Sequence, residues 1–212
     1  MSRFGFLLTS LAVVLSLNFV TPALAVPNFN NGFADWSGQL SGFDVIAADL
    51  SSDPHFSLNG NIAIISYADL MDPYWNFTLF QPMDADPLQG AGYQMTLSFY
   101  LRFIPGVDGT IDGHIISATL GADSLVDMAD ATVQSRLLAG DTFTADITNH
   151  AGSSSLLAFT LGDLDWSVTD SLLIGDFSFA QVPPAPVPEP STILLLGAGL
   201  AGLVVCRKRT KG

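Results

Sequence analysis

The middle of this chain, residues 26–186, has no cysteine, no lysine and no glutamate. Without cysteine it can form no disulfide bond, so a folded domain there depends on its own hydrophobic core. Two arginines, Arg102 and Arg136, stand against 19 aspartates and leave this segment a net charge of −17. Such acidity excludes nucleic acid as a partner, because phosphate binding needs a basic surface.

The first 25 residues have the three parts of a secretory signal peptide. Arg3 supplies the positive charge, an apolar run covers residues 4–20, and Ala23 and Ala25 complete an A-x-A cleavage pattern. We predict that signal peptidase cleaves after Ala25 and that the chain is exported, the alternative being an uncleaved anchor.

The C-terminal segment combines a proline motif, an apolar stretch and a basic cluster. The motif is Val187-Pro188-Glu189-Pro190, and its glutamate is the only one in the chain. Residues 191–206 carry no charge and would form a helix about 24 Å long, slightly short for a comfortable membrane span. The basic residues, predicted to stay on the cytoplasmic side, are Arg207, Lys208, Arg209 and Lys211.

This order of features resembles the PEP-CTERM sorting signal of bacterial surface proteins. The resemblance implies that an exosortase, a membrane transpeptidase, processes the chain, and that the organism makes extracellular polysaccharide. It predicts transient residence in the inner membrane through the apolar helix, followed by delivery to the cell surface or the extracellular space. The residues alone indicate a stop-transfer helix with a basic end, so a plain membrane anchor is the alternative.

Short apolar runs separated by turn residues predict an all-β domain between the two ends. Their spacing is typical of an antiparallel β-sandwich of jelly-roll type. The predicted strands cover residues 43–46, 62–67, 75–80, 93–103, 115–120, 143–147, 156–161 and 172–179, and residues 125–138 have mild helical character. The predicted division is 1–25 signal peptide, 26–180 sandwich, 181–190 proline-rich linker, 191–206 transmembrane helix and 207–212 cytoplasmic tail.

The middle segment also resembles the galactose-binding-like jelly rolls of carbohydrate-binding modules. The resemblance is carried by the stretches Phe29–Trp36, Trp75–Met83, Tyr93–Arg102 and Leu172–Phe179. In such modules an acidic residue of the opening stretch and an aspartate of the last strand help to hold a structural Ca²⁺. The resemblance therefore implies Asn31, Asp35 and Asp176 as candidate calcium ligands, although Ala34 stands where many such modules have glutamate.

No catalytic constellation is visible in the sequence. His55, His114 and His150 have no metal-ligand spacing with one another, and no nucleophile elbow or phosphate-binding loop occurs. A glycosidase needs two facing carboxylates, and its acid is commonly a glutamate, which the domain lacks. We therefore predict a non-enzymatic surface or matrix protein associated with exopolysaccharide and biofilm.

Two other functions stay open. One is a carbohydrate-binding module that stacks sugars on exposed aromatic rings, with Tyr74 and Trp75 as candidates because they follow Asp72-Pro73 in a predicted loop. Large aromatics also dominate sandwich cores, so these two rings have a structural alternative. The other function is a secreted hydrolase that uses a pair of aspartates. No cofactor other than a structural Ca²⁺ is predicted.

Overall fold

Eleven β-strands and one α-helix make up the described part of the chain in this computed structural model. The described residues are 26–41, 45–47, 49–67, 74–106, 111, 113–163 and 169–185. The signal peptide, the P-E-P motif, the predicted transmembrane helix and the basic tail all lie outside these ranges. Within the ranges, no helix is long and apolar enough to cross a membrane.

The elements follow one another along the chain with a single α-helix among the described strands. The strands are β1 (Ser37–Ser41), β2 (Val45–Ala47), β3 (Phe56–Asn59), β4 (Ile62–Ser66), β5 (Asn76–Asp84), β6 (Gln94–Ile104), β7 (His114–Leu120), β8 (Asp123–Ser124), β9 (Asp141–Asp146), β10 (Ser154–Asp163) and β11 (Ser171–Val182). The helix α1 (Ala131–Ala139) precedes β9, and a short 3₁₀ helix, Thr148–His150, follows it. The Asp130 side chain caps α1 by accepting a hydrogen bond from Thr132 N at 2.7 Å.

The strands form two antiparallel sheets that face each other. One has six strands in the order β2-β1-β5-β10-β7-β8, and the other has five in the order β3-β4-β11-β6-β9. Alternate residues of β6 are buried between the sheets, as the apolar alternation predicts. Phe99 of β6 meets Phe159 of β10 edge-on, with ring centroids 5.5 Å apart, so the sheets share one core. The predicted sandwich is confirmed.

The strand boundaries differ from the prediction where pairing overrides sequence pattern. β1, β3 and β8 lie outside the predicted strands, because they are short or polar and are defined by their neighbours in the sheet. β11 continues through Gln181 and Val182, two residues into the segment predicted as linker. These residues pair with Met95 and Gln94 of β6, which is why the strand does not stop at residue 180.

The sandwich has two ends, which carry different parts of the molecule. At the exit end β11 finishes, and residues 183–185 follow it next to the loop 85–93. In this loop Ala85 N donates a hydrogen bond to Ser153 O, just before β10, at 3.0 Å. At the far end β1, β4 and β6 finish and β5, β7 and β11 begin. The far end comprises Ser41, Tyr67, Tyr74, Trp75, Gly106, His114 and Asp170.

Aromatic rings fasten the N-terminal segment 26–36 onto the sandwich. Phe29 stacks on Trp36 with ring centroids 4.8 Å apart, and both rings contact Phe177 of β11. Val26 lines the same cleft as Asp84, the last residue of β5. The first and last described residues of the chain therefore both lie at the exit end.

Candidate functional site

A buried histidine–aspartate contact connects the two sheets at the far end. His114 Nε2, at the start of β7, lies 3.0 Å from Asp170 Oδ2, and both side chains are fully buried. The other carboxylate oxygen of Asp170 accepts a hydrogen bond from Gly106 N at 2.6 Å. Its main-chain oxygen accepts one from Tyr67 N at 3.1 Å. Asp170 thus ties together the ends of β4 and β6 and the start of β7.

Thr169, directly before this aspartate, has a φ of 77°. A left-handed backbone costs about 1–2 kcal/mol for a residue with a Cβ, and it is unusual for a β-branched residue. Such conformations persist where the surrounding contacts over-determine the backbone. The strain therefore indicates that the contacts of Asp170 fix this turn.

Sequence reasoning missed this pair. In the sequence His114 has no metal-ligand spacing with His55 or His150, and its partner, Asp170, lies far away in the chain, directly before β11 of the other sheet. The one local signal is the position of Asp170 just before a buried strand, where an aspartate can accept main-chain hydrogen bonds.

Tyr74 and Trp75 both lie at the far end, in different environments. Trp75 is 39% exposed, and its main-chain N–H donates to Ser41 O at 3.1 Å where β5 begins. Tyr74 is half-buried and meets His55 edge-on, at 6.2 Å between ring centroids. The imidazole of His55 in turn stacks on Phe77 of the core at 4.4 Å. Trp75 is thus open to a ligand, while Tyr74 belongs partly to the packing of the rim.

The outer surface of the six-stranded sheet carries uncharged side chains over most of its length. Outward residues alternate with buried ones on each strand and line up in rows, as in the row Gln39, Thr78, Thr160, Ser117. The hydroxyls of Thr78 and Thr160 lie 3.0 Å apart. We name this surface the neutral face, and its members are Ser37, Gln39, Ser41, Asn76, Thr78, Phe80, Ile115, Ser117, Thr119, Ala158 and Thr160.

The neutral face contrasts with the charge of the domain that carries it. None of the 19 aspartates belongs to it, and the nearest outward acid of β5 is Asp84, at the exit end. At its far-end edge the amide oxygen of Asn76 is shielded from solvent and has no hydrogen-bond partner among the described residues. A buried acceptor without a partner costs about 1–3 kcal/mol, so this oxygen lowers the stability of the fold at this edge. Trp75 directly precedes this residue.

The residues predicted to bind calcium lie nearer the exit end. Asn31 and Asp35 are exposed in the turn before β1, and Asp176 is exposed at an irregularity of β11 with a φ of 50°. A cleft of about 660 Å³ is lined by Val26, Pro27, Asn28, Asp35, Gln81, Pro82, Met83 and Asp84. In the described ranges no group of three or more His, Cys, Asp or Glu side chains could hold a metal ion. The calcium site stays a prediction.

The exit end also has a His–Asp pair, in which the aspartate is exposed and the histidine is largely buried. His150 Nε2 lies 2.9 Å from Asp123 Oδ2, and the side chain of Asp123 is 62% exposed. The other ring nitrogen, Nδ1, lies 2.8 Å from Ser155 Oγ. The three side chains thus form a hydrogen-bonded Ser–His–Asp series, an order that also occurs in nucleophilic catalysis. The sequence signals no such relation, because Asp123 is distant in the chain.

Comparisons with solved structures concern the sandwich. The enzymatically active domain of tailspike protein 4 from Bacteriophage CBA120 is 13% identical with a TM-score of 0.40, and 73% of this chain covers 20% of that one. A Stig cyclase, Fisc from Fischerella sp. TAU, is 13% identical with a TM-score of 0.39, over 79% and 93% of the two chains. A structure described as "CBM4 structure and function" is 16% identical with a TM-score of 0.36, over 74% and 95%.

The family comparison concerns the C-terminal segment. No curated protein matches the chain. Residues 186–209 match the family model of the PEP-CTERM protein-sorting motif, which confirms the prediction made from Val187-Pro188-Glu189-Pro190. The chain therefore carries a PEP-CTERM sorting motif, and this motif implies export and processing by an exosortase.

Proposed function

We propose that this chain is a non-enzymatic bacterial cell-surface or extracellular-matrix protein, released or attached through its PEP-CTERM motif. The observation that carries the proposal is the motif at residues 186–209, which begins four residues after the end of β11 at Val182. An exosortase would act at the P-E-P sequence while the apolar residues 191–206 hold the chain in the inner membrane. The sandwich would then serve envelope or biofilm architecture, in association with exopolysaccharide.

The charge of the domain supports work outside the cell. A net charge of −17 over residues 26–186 keeps the domain soluble and repels anionic lipid and other acidic surfaces. Because the acidic domain and an anionic membrane surface repel each other, release of the domain from the membrane is favoured.

Mass spectrometry of the mature C-terminus tests the processing step. With the exosortase gene present, we expect a surface form that ends near Pro188-Glu189-Pro190, and without it an unprocessed chain. Glu189→Ala should block processing, whereas Asp86→Asn, an acid-to-neutral change at the exit end, should leave it unchanged. An intact Lys211-Gly212 end on the surface form would contradict the proposal and leave a plain anchor.

The neutral face favours a second function, the binding of a neutral carbohydrate. Its hydroxyl and amide groups can exchange hydrogen bonds with sugar hydroxyls, and Trp75 offers an aromatic surface at the edge. Asn76, half-buried directly after Trp75, adds an amide group at the same edge. A neutral ligand suits this surface because no aspartate carboxylate on it would have to be desolvated on binding.

Affinity electrophoresis in gels that contain neutral polysaccharides tests this second function. Retardation should be lost in Trp75→Ala and weakened in Asn76→Ala. The matched control is Ile104→Ala, which removes a similarly exposed apolar residue, 38% against 39%, from the other sheet. No retardation of the wild-type chain by any glycan would leave the architectural function alone.

The Ser–His–Asp series at the exit end bears on the hydrolase alternative. It offers Ser155, His150 and Asp123 as a second candidate set beside the pair of aspartates considered from sequence. A fluorophosphonate probe reacts with serines activated by a neighbouring base. Labelling of Ser155 that disappears in His150→Ala would favour a hydrolase, and an unlabelled chain is the result expected for the non-enzymatic protein.

A further inference from the structure

The polypeptide does not leave the sandwich freely where β11 ends. The side chain of Gln181 makes two hydrogen bonds to the loop 85–93: its Oε1 accepts from Gln89 N at 2.9 Å, and its Nε2 donates to Pro87 O at 3.2 Å. Both partners are main-chain groups more than 90 residues away in sequence, so the contact is tertiary. A glutamine side chain satisfies a donor and an acceptor at once, which few residues can do.

A second contact lies three residues further along the chain. Pro184 packs closely on Gly92, whose φ is 81°, so closely that a Cβ on that glycine would lie 3.2 Å from the proline ring. The positive φ favours glycine at this position, and a Cβ there would have to displace the proline ring by a few tenths of an ångström. Gln181, Pro184 and their partners Pro87, Gln89 and Gly92 form what we name the exit clamp.

The exit clamp shortens the chain that is free to reach an enzyme. An extended chain spans at most about 3.6 Å per residue, so the four Cα–Cα steps from Ala185 to Glu189 reach no more than about 14 Å. If the chain were free from Pro183, the first residue after β11, the same limit would be about 22 Å. The clamp thus removes about 7 Å of reach, the span of two residues, between the folded domain and the sorting motif.

We propose that the exit clamp is a positioning element for the sorting reaction: it fixes the length of free chain between the sandwich and the P-E-P motif. This inference rests on the proposed exosortase processing. The exit end of the sandwich then stays within about 14 Å of the bond region that the membrane enzyme must reach. The clamp thus lowers the maximum distance between the sandwich and the motif by the span of two residues.

A compensation experiment on the full chain tests the length argument. Deletion of Ala185-Pro186 should lower the processed fraction at least about tenfold, because the effective concentration of a tethered group collapses when the tether cannot span the sites. Opening the clamp with Gln181→Ala and Pro184→Ser should restore processing of the shortened chain to within about twofold, because the released residues supply the missing reach. Replacement of Ala185-Pro186 by Gly-Ser keeps the length and should process normally.

Amide hydrogen exchange shows independently whether the clamp opens. In Gln181→Ala the amide of Gln89 should exchange about tenfold faster, the loss of protection expected for one hydrogen bond. The matched control is Gln94→Ala, which removes an exposed glutamine side chain from the neighbouring strand at the same end. It should neither speed exchange at Gln89 nor rescue the deletion.

The outcomes separate this inference from the function on which it rests. A wild-type chain that keeps its C-terminus whether or not the exosortase is present would overturn the proposed processing itself. A processed wild type whose deletion variant is not rescued by the open clamp, or is processed at the normal rate, would overturn the positioning role alone. A merely structural clamp predicts that opening it makes the shortened chain worse, which is the opposite of rescue.

Discussion

The two ends of the sandwich hold the same pair of residues at the same distance in opposite surroundings. His114 and Asp170 at the far end are 3.0 Å apart and fully buried, whereas His150 and Asp123 at the exit end are 2.9 Å apart with the carboxylate largely exposed. Exposed pairs contribute about 0–1 kcal/mol because water screens them. Removing one partner of a buried pair costs about 3–5 kcal/mol because the other is left uncompensated. The contribution of each pair to the stability of the fold is therefore set by its burial and not by the distance between its atoms.

The difference matches the uses that we propose for the ends. The far end, with Asp170 tying strand ends from both sheets, can hold Trp75 and the edge of the neutral face in fixed positions. The exit end relies on side-chain contacts at the surface, such as those of Gln181, which an enzyme can approach. The proposed binding edge and the exit clamp thus lie at opposite ends of the sandwich.

The largest effect is expected from breaking the far-end pair. Asp170→Ala removes the partner of His114 and the acceptor of Gly106 N, and it should lower the free energy of unfolding by about 3–5 kcal/mol. Urea denaturation followed by tryptophan fluorescence measures this. Asp123→Ala is the matched change at the exit end and should cost less than about 1 kcal/mol. Equal losses of unfolding free energy in the two variants would contradict the expected difference between the ends.

The second-largest effect is expected from a hydrogen bond near the exit end, between Met95 and Thr148. Thr148 Oγ1 accepts a hydrogen bond from Met95 N at 2.9 Å. Thr148→Val keeps the shape but leaves this N–H without its acceptor, so it should cost about 1–3 kcal/mol in urea denaturation. Thr148→Ser keeps the hydroxyl and should cost clearly less. If serine and valine were equally destabilising, the methyl group and not the hydrogen bond would be responsible.

Much of the fold follows from the sequence because its strongest strands obey a simple pattern. The alternation from Tyr93 to Phe103 gives β6 almost to the residue, and one buried face per sheet then requires a sandwich. β1 and β8 could not be predicted, because Ser37–Ser41 is mostly polar and Asp123–Ser124 is very short. Their conformation comes from pairing with β5 and β7, which is tertiary information.

The candidate sites likewise differ in whether the sequence alone reveals them. The sorting motif is a contiguous stretch of sequence and is found by reading it. The neutral face is assembled from four strands, and it becomes visible only when the register places Thr78 beside Thr160. Likewise, nothing local connects His114 with Asp170 or Gln181 with Gln89. Contacts between residues distant in the chain are set by topology, which the sequence pattern alone does not specify.

A smaller effect, of opposite sign, is expected at the strained residue beside the buried pair. Thr169→Gly relieves a left-handed backbone that costs about 1–2 kcal/mol, while glycine adds about 0.5–1 kcal/mol of unfolded-state entropy. The net gain should be about 0.5–1 kcal/mol in urea denaturation. Asp176→Gly is the comparison, and it should gain less because aspartate tolerates this conformation better than threonine. A loss in Thr169→Gly would mean that the threonine side chain itself stabilises the turn.

The smallest expected effect is a dependence of stability on pH. It comes from the aspartates at the two ends of β9, Asp141 and Asp146. Hydrogen bonds from the Arg136 side chain and Thr142 N hold the pKa of Asp141 below its usual value, and hydrogen bonds from the side chain and N–H of Thr148 do the same for the pKa of Asp146. A carboxylate with a lowered pKa stabilises the fold above its unfolded value, near 3.8, and this contribution is lost as the pH falls through the folded value.

Asp146→Asn should therefore be less stable than wild type at pH 7, and the difference should shrink as the pH falls below about 4, where the wild-type carboxylate also becomes neutral. Asp141→Asn should behave in the same way at the other end of the strand. Because both carboxylates are exposed, each difference should be smaller than that in Thr148→Val. Urea midpoints measured from pH 7 to pH 3 give the profiles. A difference that stays constant over this range would show that the geometry of the amide, and not the lost charge, causes the effect.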